Sequence, residues 1–331
     1  MIISRTPFRV SFFGGGTDYP AWYQEHGGAV LATAIDKYCY ISVRELPPFF
    51  DHRFRIVYSF VENVKDVGEI AHPAARAVLK TMNVTNGLEI HHDGDLPARS
   101  GVGSSSAFTV GLICAIHALE GRHVSKEALA NEAIHVEQEV LREAVGVQDQ
   151  ISAAFGGFNH ITFRQDGVYR VDPMILPPER LAALQDHLML FFTGIARTAA
   201  EVAQSQIDNV KARTAELQTM QQMVDAAMGI LSSPHADILE FGRLLGESWT
   251  LKRRLSDRIT NSTIDDCYSA AQRAGAVGGK LLGAGGGGFM LLFVPPPQQP
   301  RVRDALRTLI QVPFKFDMSG SRIVLYQPDG W

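Results

Sequence analysis

The run of residues 96–120 constrains the fold of this chain more than any other stretch. Its first half has Gly101 and Gly103 in a predicted loop that leads into three serines at positions 104–106, and its second half is an apolar helix. Glycines let the backbone approach a ligand closely, and the hydroxyls lie where a helix start has unpaired N–H groups and a positive dipole. This chemistry suits a phosphate group, although an ordinary serine cap after a turn has the same local pattern.

Composition and charge limit the class of ligand. The 331 residues are 46% hydrophobic, enough to bury the cores of two domains. The formal net charge is −4 and no dense basic block occurs, so neither nucleic acid nor an anionic membrane is an expected partner. We therefore expect a small-molecule ligand.

The cysteines and the hydropathy pattern bear on the compartment. Cys39, Cys114 and Cys267 lie far apart, without the spacing of a disulfide framework or a metal site, and are expected to be buried free thiols. The N-terminal segment lacks the apolar core of a signal peptide, and no stretch approaches the roughly 18 apolar residues of a membrane span. The expectation is a cytoplasmic protein in a reducing environment.

The alternation of apolar runs and turn residues predicts an α+β chain of two domains, with antiparallel sheets rather than one doubly wound sheet. The N-terminal domain is assigned to residues 1–180 and the C-terminal domain to residues 181–331, because Pro177 and Pro178 mark a change of composition. Strands are predicted at 2–13, 29–43, 53–60, 87–92, 158–163, 168–171, 187–192, 289–294, 312–317 and 323–326. Helices are predicted at 71–82, 125–142, 147–155, 197–231 with one break, 237–255, 262–274 and 301–310.

The familiar nucleotide-binding motifs are missing from the sequence. The pattern G-x-x-x-x-G-K-[ST] does not occur, because Lys280 is followed by Leu281 and has Ala274 where the motif requires its first glycine. The pair Gly101 and Gly103 is followed by Ser106 where the dinucleotide fingerprint requires a third glycine. A phosphate-binding loop at residues 96–106 is therefore expected to be of another kind.

Three separated segments together resemble the motifs of the GHMP family of small-molecule kinases, in the order of that family. They are PFRVSFFGGGTDYP at 7–20, LPARSGVGSSSA at 96–107 and KLLGAGGGGF at 280–289, and they nearly span the chain. The resemblance implies an N-terminal domain with the fold of ribosomal protein S5 domain 2 and a ferredoxin-like C-terminal domain. It also implies an ATP-dependent phosphotransferase that acts on an alcohol group, with ATP bound between the domains.

The resemblance implies that the second segment binds the ATP phosphates and contacts Mg²⁺. The residues expected around the phosphates are Pro97, Arg99, Ser100, Gly101, Val102, Gly103, Ser104, Ser105 and Ser106. Ser104 or Ser105 is expected to contact Mg²⁺, and we predict Ser105. Glu137 is the second predicted ligand, because the family places a glutamate on this helix; the alternative is a solvated carboxylate like Glu139 or Glu143. Mg²⁺ commonly takes only one or two protein oxygens beside phosphate oxygens.

Two further residues are predicted to be catalytic through the same resemblance. Asp149 lies in the segment GVQDQ, where many of these kinases carry a catalytic aspartate that accepts or orients the proton of the attacking hydroxyl. The alternative is a helix N-cap aspartate. Arg9 precedes Asp18 by nine residues, as in the galactokinase branch, where this arginine lies near the catalytic carboxylate and the transferring phosphate. The alternative is a surface arginine at a strand edge.

The first segment is predicted to bind a sugar. Asp18 can accept two hydroxyl donors, and Gly15, Gly16 and Thr17 beside it let a ring come close. Galactokinases have Gly-Glu-His where three glycines at 14–16 stand here, so galactose is not the favoured substrate. The form GGGTDYP is similar to that of kinases that phosphorylate the anomeric hydroxyl of D-glycero-D-manno-heptose 7-phosphate for nucleotide-heptose and surface-polysaccharide synthesis.

A substrate that already carries a phosphate requires a cation in its site. The candidates are Arg197, Lys37, Arg99 and Lys280, of which Arg197 is placed with the substrate-binding residues. Gly285 and Gly286 of the third segment are also placed there, although that loop is expected to be mostly a scaffold packed against the nucleotide loop.

Three alternatives stay open at this point. The chain could be a fucose-type or galactose-type 1-kinase, a non-catalytic sugar or nucleotide sensor on the same fold, or a decarboxylase relative from the isoprenoid branch. The presence of Ser105, Glu137 and Asp149 argues against a sensor, and the first segment argues against the decarboxylase. The sequence leaves the oligomeric state open, a homodimer included.

Overall fold

The computed structural model describes residues 1–194 and 199–328, with only the backbone at 199 and 200. The strands in these ranges are β1 (Ile2–Phe13), β2 (Gly28–Glu45), β3 (Phe54–Val57), β4 (Val61–Val64), β5 (Leu88–Gly94), β6 (Phe158–Phe163), β7 (Tyr169–Pro173), β8 (Leu188–Phe192), β9 (Gly278–Leu281), β10 (Phe289–Phe293), β11 (Ile310–Val312) and β12 (Arg322–Tyr326). The helices are α1 (Pro20–His26), α2 (Pro73–Thr81), α3 (Ser104–Leu119), α4 (Lys126–Ile134), α5 (Gln148–Phe155), α6 (Pro178–Asp186), α7 (Ala199–Asn209), α8 (Thr214–Ser232), α9 (Leu239–Arg254), α10 (Ser262–Arg273) and α11 (Gln299–Ala305).

The larger of the two sheets is built around the long strand β2. Its strands follow the order β12-β1-β2-β5-β3-β4, and β6 also pairs with β2 and carries β7 beside it. The first part of β2 pairs with β6 and its last part pairs with β5, so this one strand serves two neighbours on the same side. All of these pairs are antiparallel except β3 with β5, which confirms the predicted antiparallel α+β character.

The smaller sheet has four antiparallel strands in the order β11-β8-β10-β9. Helix α9 packs against β9, and a second apolar cluster lies between this sheet and the helices of the C-terminal part. The two sheets agree with a two-domain GHMP kinase fold. The boundary between residues 180 and 181 stays a prediction, and strand β12 lies in the larger sheet beside β1.

Helix α3 is the central helix packed on the larger sheet. Every residue from Ser106 to His117 is buried, and the helix packs on β1 and β2. Gly111 permits this close approach, because a Cβ atom there would lie 2.9 Å from Thr6 Oγ1. Ser4 Oγ donates a hydrogen bond of 2.7 Å to the carbonyl of Gly111. The start of α3, with the predicted phosphate loop, is thereby fixed at one end of the sheet.

Several local predictions differ from the structure for identifiable reasons. The predicted helix 125–142 is α-helical only over α4 and continues as a π-helical turn, His135–Val140. Strands β4 and β9 were missed, the latter because it begins with two glycines. A Cβ atom at Gly279 would lie 2.5 Å from the carbonyl oxygen of Leu291, so only glycine pairs this closely with β10. The predicted strand 312–317 is not formed as one strand. Residue 312 is the end of β11, and Phe316 forms an isolated bridge with Ile35.

Other expectations are confirmed. The predicted break is present in the described part of the helical region, where the 3₁₀ turn Val210–Arg213 separates α7 from α8; residues 197 and 198 lie outside the described residues. All three cysteines are free thiols, and the predicted burial holds for Cys39 and Cys114 but only in part for Cys267. Among the described helices, none combines the length and the apolar character that crossing a membrane would require.

Phe12 on β1 joins the cores of the two parts of the chain. Its fully buried ring meets those of Phe158 on β6, Phe241 on α9 and Phe316 near the C-terminus at centroid distances of 5.6, 5.5 and 6.3 Å. These edge-to-face contacts add to the burial of a large apolar surface. The relative placement of β1 and α9 therefore depends on this ring.

We predict that Phe12→Ala lowers the free energy of unfolding by about 3–5 kcal/mol, because it opens a cavity where three rings converge. The matched control is Phe60→Ala, since the side chain of Phe60 is 70% exposed and its removal is expected to cost less than about 0.5 kcal/mol. Urea denaturation followed by circular dichroism measures both variants. Equal stability of the two would contradict the role assigned to Phe12.

Candidate active site

The three segments singled out in the sequence meet in space. The carbonyl of Ser100 accepts a hydrogen bond of 3.1 Å from the Phe289 amide, and the Arg9 amide donates one of 3.0 Å to the Val102 carbonyl. A Cβ atom at Gly283 would lie 2.5 Å from the Cα of Gly101. The predicted packing of the third loop against the nucleotide loop is therefore confirmed.

The nucleotide loop presents an open helix start. Gly103 is the N-cap of α3 with a left-handed backbone, φ 76°, and no side chain caps the helix. The serines at 104–106 lie inside the first turn, so the interpretation as an ordinary serine cap is wrong. Ser104 Oγ instead accepts a hydrogen bond of 3.0 Å from the amide of Arg99. The first N–H groups of α3 are left to a ligand, which fits an anion such as phosphate.

Arg9 and Asp149 form a bidentate ion pair beside this loop. Arg9 Nε and Nη2 donate to Asp149 Oδ1 and Oδ2, each at 2.8 Å, and Nη1 donates to the Gly101 carbonyl at 2.5 Å. Arg9 is buried, so its interpretation as a surface arginine is excluded, while the Asp149 side chain keeps 26% of its surface exposed. A Cβ atom at Gly103 would lie 3.5 Å from Asp149 Oδ2. The two planar groups fix one another's orientation at the entrance of the phosphate loop.

Asp18 is the second carboxylate of the site. It is 2% exposed, and its Oδ1 accepts a hydrogen bond of 2.9 Å from the Gly16 amide. Burial, and then the neighbouring Asp149 carboxylate, raise the pKa of Asp18 above its ordinary value. A Cβ atom at Gly146 would lie 1.9 Å from Asp18 Oδ2, so the glycine lets the chain pass over this carboxylate.

The other members of the first segment shape its turn. Thr17 Oγ1 donates to the carbonyls of Gly14 and Ala29, at 2.8 and 2.9 Å, and is fully buried. Gly15 lies near the side chain of Gln148, 3.8 Å from where its own Cβ atom would stand. The Gly16 amide donates its hydrogen bond to the Asp18 carboxylate. The structure thus brings Gly15, Gly16, Thr17 and Asp18, four of the predicted sugar-binding residues, together in one buried turn.

Two buried lysines lie beside these carboxylates. Lys280 Nζ donates to the Phe12 carbonyl at 2.9 Å, and burial together with the Arg9 charge lowers its pKa to about 7. Lys252 Nζ donates to the carbonyls of Leu281, at 3.1 Å, and of Gly283. Burial and the Lys280 charge lower the pKa of Lys252 well below its ordinary value. Sequence reasoning missed Lys252, because a lysine in the last turn of α9 has the usual pattern of a helix C-terminus.

Glu137 occupies a closed position behind the phosphate loop. The π turn after α4 directs its carboxylate against α3, where Ser106 Oγ donates to Oε2 at 2.8 Å and Gln150 donates to the same atom. Oε1 is buried and has no hydrogen-bond partner among the described residues. Burial raises the pKa of Glu137 to about 7. An unpartnered carboxylate oxygen here fits a cation, so the residues present are compatible with the predicted Mg²⁺.

The serine that contacts Glu137 is Ser106, whereas the serine predicted to bind Mg²⁺ is Ser105. Ser106 contacts the glutamate from the buried face of α3, whereas Ser105 lies on the exposed face of the first turn. The helical period separates consecutive side chains by roughly 100° and explains this difference. Ser105 as a Mg²⁺ ligand remains a prediction. Glu137 itself is not a solvated helix carboxylate, because it is 1% exposed.

The remaining predicted residues are more distant or are not described. Gly286 donates its amide to the Ile259 carbonyl at 2.8 Å, and a Cβ atom at Gly285 would lie 2.8 Å from the Cα of Ile259. Both glycines therefore belong to the packed part of the third loop. Arg197 lies outside the described residues. Lys37 Nζ donates to the carboxylate and the carbonyl of its neighbour Asp36.

Comparison with known proteins agrees with this fold. Residues 69–157 match the family described as GHMP kinases N terminal domain, and residues 231–312 match GHMP kinases C terminal. The two matches together cover just over half of the chain. The two sheets with their helices and the open phosphate loop are the features of a small-molecule phosphotransferase. The chain belongs to the GHMP kinase family, and it is an ATP-dependent kinase of the sugar kinase type.

Individual relatives of the chain include two kinases compared by sequence and one solved structure. The chain is 29% identical over 296 residues to a D-glycero-alpha-D-manno-heptose 7-phosphate kinase of Campylobacter jejuni, covering 86% of each chain. It is 23% identical over 363 residues to a galactokinase of Pyrococcus furiosus, covering 99% of this chain and 98% of the relative. A crystal structure of a D-glycero-D-manno-heptose 1-phosphate kinase from Bacteroides thetaiotaomicron shares the fold with a TM-score of 0.79 at 23% identity, covering 98% of both chains.

We predict that Glu137 makes the ligand-free protein less stable as pH rises. The folded-state pKa of about 7 lies above the ordinary 4.5, so the folded state holds a proton that the unfolded state has already lost. The stability that this proton gives is complete below about pH 4.5 and is lost as pH rises through about 7, a loss of about 3 kcal/mol. Glu137→Gln should remove this dependence.

The measurement is urea unfolding of the wild type and of Glu137→Gln in chelator, at about pH 5 and about pH 8. The difference in unfolding free energy between the two proteins isolates Glu137 from other titrating groups. A difference that stays constant between the two pH values would show that Glu137 ionises normally.

Proposed function

We propose that this protein transfers the γ-phosphate of ATP to the anomeric hydroxyl of D-glycero-D-manno-heptose 7-phosphate. The product would be the 1,7-bisphosphate, a precursor of nucleotide-activated heptose for surface polysaccharide. The observation that carries the proposal is the Arg9–Asp149 pair, held between the open start of α3 and the buried Asp18. The similarity to the heptose 7-phosphate kinase of Campylobacter jejuni supports the choice of sugar.

Asp149 faces the acceptor in this proposal. Its carboxylate orients the anomeric hydroxyl and accepts its proton as the oxygen bonds to the γ-phosphorus and ADP leaves. Arg9 holds that carboxylate in a fixed plane and places positive charge next to the transferring group. Most of the acceleration in phosphoryl transfer comes from such positioning and charge stabilisation, which needs no covalent intermediate.

Asp18 anchors the sugar. A buried carboxylate with one oxygen bonded to the Gly16 amide retains acceptor capacity for sugar hydroxyls. The glycines at 14–16 add no side chains of their own beside it. The cost of burying this carboxylate is offset when hydroxyl donors arrive, which favours a polyhydroxylated ligand over an apolar one.

The phosphate loop and Glu137 provide the nucleotide side. The amides at the start of α3 and the backbone of residues 97–103 would receive the ATP phosphates. Ser105 and Glu137 are the proposed Mg²⁺ ligands, with Ser106 and Gln150 holding the glutamate in place. Mg²⁺, when bound, neutralises phosphate charge.

The substrate is tested by ATP consumption with purified protein and Mg²⁺. The acceptors are D-glycero-D-manno-heptose 7-phosphate, fucose and galactose, with phosphorus NMR to locate the new phosphate. We expect selective transfer to C1 of the heptose 7-phosphate. Transfer to fucose or galactose instead would discard the proposed sugar, and ATP binding without any transfer would favour a sensor.

The role of Asp149 is tested by Asp149→Asn. Replacing the acceptor oxygen that faces the sugar is expected to lower kcat by about 10²–10⁴-fold, the usual contribution of a positioned base, while ATP binding is retained. Asp166→Asn, on the exposed β6–β7 turn, is the matched control. Unchanged turnover in Asp149→Asn would remove Asp149 from the mechanism.

A further inference from the structure

Three consecutive glycines lie in the turn after β1, and the fold requires two of them. A Cβ atom at Gly14 would lie 1.9 Å from the Ala29 carbonyl oxygen, and the backbone there is left-handed, with φ 79°. Gly16 has φ 103°, a conformation that residues with a side chain rarely adopt. The local structure therefore explains the glycines at positions 14 and 16.

The fold does not require a glycine at position 15. The φ angle of Gly15 lies outside the left-handed region. Among the described residues, the atoms within 4 Å of a Cβ atom placed there are Gln148 Nε2 and Ser11 Oγ, each at 3.8 Å, which is an ordinary van der Waals distance. An alanine would fit without strain, so the missing side chain at position 15 needs another explanation.

The two side chains beside Gly15 are buried and incompletely hydrogen-bonded. Ser11, on β1, is 5% exposed, and Gln148, the first residue of α5, is 9% exposed. Ser11 Oγ and Gln148 Oε1 have no hydrogen-bond partner among the described residues. A buried polar atom without a partner costs free energy, which a ligand that completes the hydrogen bond recovers.

The space beside Gly15 adjoins the proposed reaction centre. Gly15 itself is partly exposed. Gln148 directly precedes Asp149, and the amide of Val147 donates a hydrogen bond of 3.1 Å to the Asp18 carbonyl. A sugar that is held by Asp18 and presents its reacting hydroxyl to Asp149 therefore has this space within reach.

The chemistry of the two side chains favours a neutral hydroxyl as their partner. A serine hydroxyl and a glutamine amide are uncharged, and each can both donate and accept a hydrogen bond, as a sugar hydroxyl can. A phosphate would instead need a cation, and the nearby carboxylates of Asp18 and Asp149 oppose a further negative charge. Hydrogen bonds are shorter than 3.8 Å, so the hydroxyl would lie closer to the two side chains than a Cβ atom at Gly15 would.

We propose that Ser11 and Gln148 bind a hydroxyl group of the sugar beside Gly15. Residue 15 is then a glycine because a methyl group there would occupy the space that the sugar needs. The inference rests on the proposed function, since it adds a contact to a sugar held by Asp18. Ser11 and Gln148 determine sugar binding and specificity and take no part in phosphoryl transfer.

The test measures KM and kcat for D-glycero-D-manno-heptose 7-phosphate in the wild type, Ser11→Ala, Gln148→Met and Gly15→Ala, and the urea midpoint of each protein. We expect each substitution to raise KM for the sugar by about 10- to 100-fold, with little change in kcat or in KM for ATP. The urea midpoint should not fall, because the serine and glutamine oxygens lack described partners in the free protein. Ser152→Ala removes another buried hydroxyl without a described partner and is the matched control, expected to leave KM unchanged.

Gly14→Ala provides a contrast within the same turn. Its Cβ atom would collide with the Ala29 carbonyl oxygen, so we expect a lower urea midpoint than in the wild type. Gly15→Ala should keep the midpoint of the wild type and lose sugar affinity. An equal loss of stability in the two variants would show that the fold requires both glycines, which contradicts the role assigned to position 15.

The outcomes separate this inference from the proposed function. If the wild type phosphorylates heptose 7-phosphate and Ser11→Ala and Gln148→Met leave its KM unchanged, or lower only the urea midpoint, the two side chains are structural and the inference is wrong. If the wild type prefers fucose or galactose, the proposed substrate is wrong, and the same variants test the inference with that sugar. A wild type that phosphorylates none of these sugars would overturn both.

Discussion

The close approach of two glycine-containing loops is the constraint on which the site depends. Gly101 of the nucleotide loop and Gly283 of the third loop come so near that a Cβ atom on either would lie 2.5–2.6 Å from the other loop's backbone. A Cβ atom at Gly288 would lie 2.1 Å from the Ser100 carbonyl oxygen. Because these contacts are made by backbone, they leave little freedom, and the start of α3 is held against the smaller sheet.

The electrostatic character of the site follows from this packing. Three basic and two acidic side chains are brought together, namely Arg9, Lys252, Lys280, Asp18 and Asp149. Burial would be costly for each of them alone, but carbonyl oxygens and the opposite charges offset much of that cost. The amides at the start of α3 add partial positive charge to that of Arg9, while burial lowers the pKa of Lys252 and of Lys280. A site of this kind is complementary to a polyphosphate next to a neutral sugar ring.

Sequence reasoning predicted the fold, and most of the residues that the structure brings together in the candidate site, because its signals were local. Short stretches of sequence were enough to recognise the three motifs, the apolar helix after residue 103 and the antiparallel strands. Arg9 and Asp149 were predicted from the motifs that contain them. Lys252 could not be found in this way, since it lies in an ordinary helical context and joins the site only through contacts with residues far away in the chain. The contact between Ser106 and Glu137 could not be foreseen, because it depends on helix phase and on the π turn that carries Glu137.

The position of β12 has a consequence for how the chain reaches this structure. This strand, residues 322–326, forms an edge of the sheet whose neighbouring strand β1 starts at residue 2. The larger sheet is therefore completed only after residues 322–326 have left the ribosome, and its most separated contacts slow the last stage of folding. A protease cut between residues 180 and 181 would not release two independent units, because the first fragment would lack its edge strand and the second would carry an unpaired one.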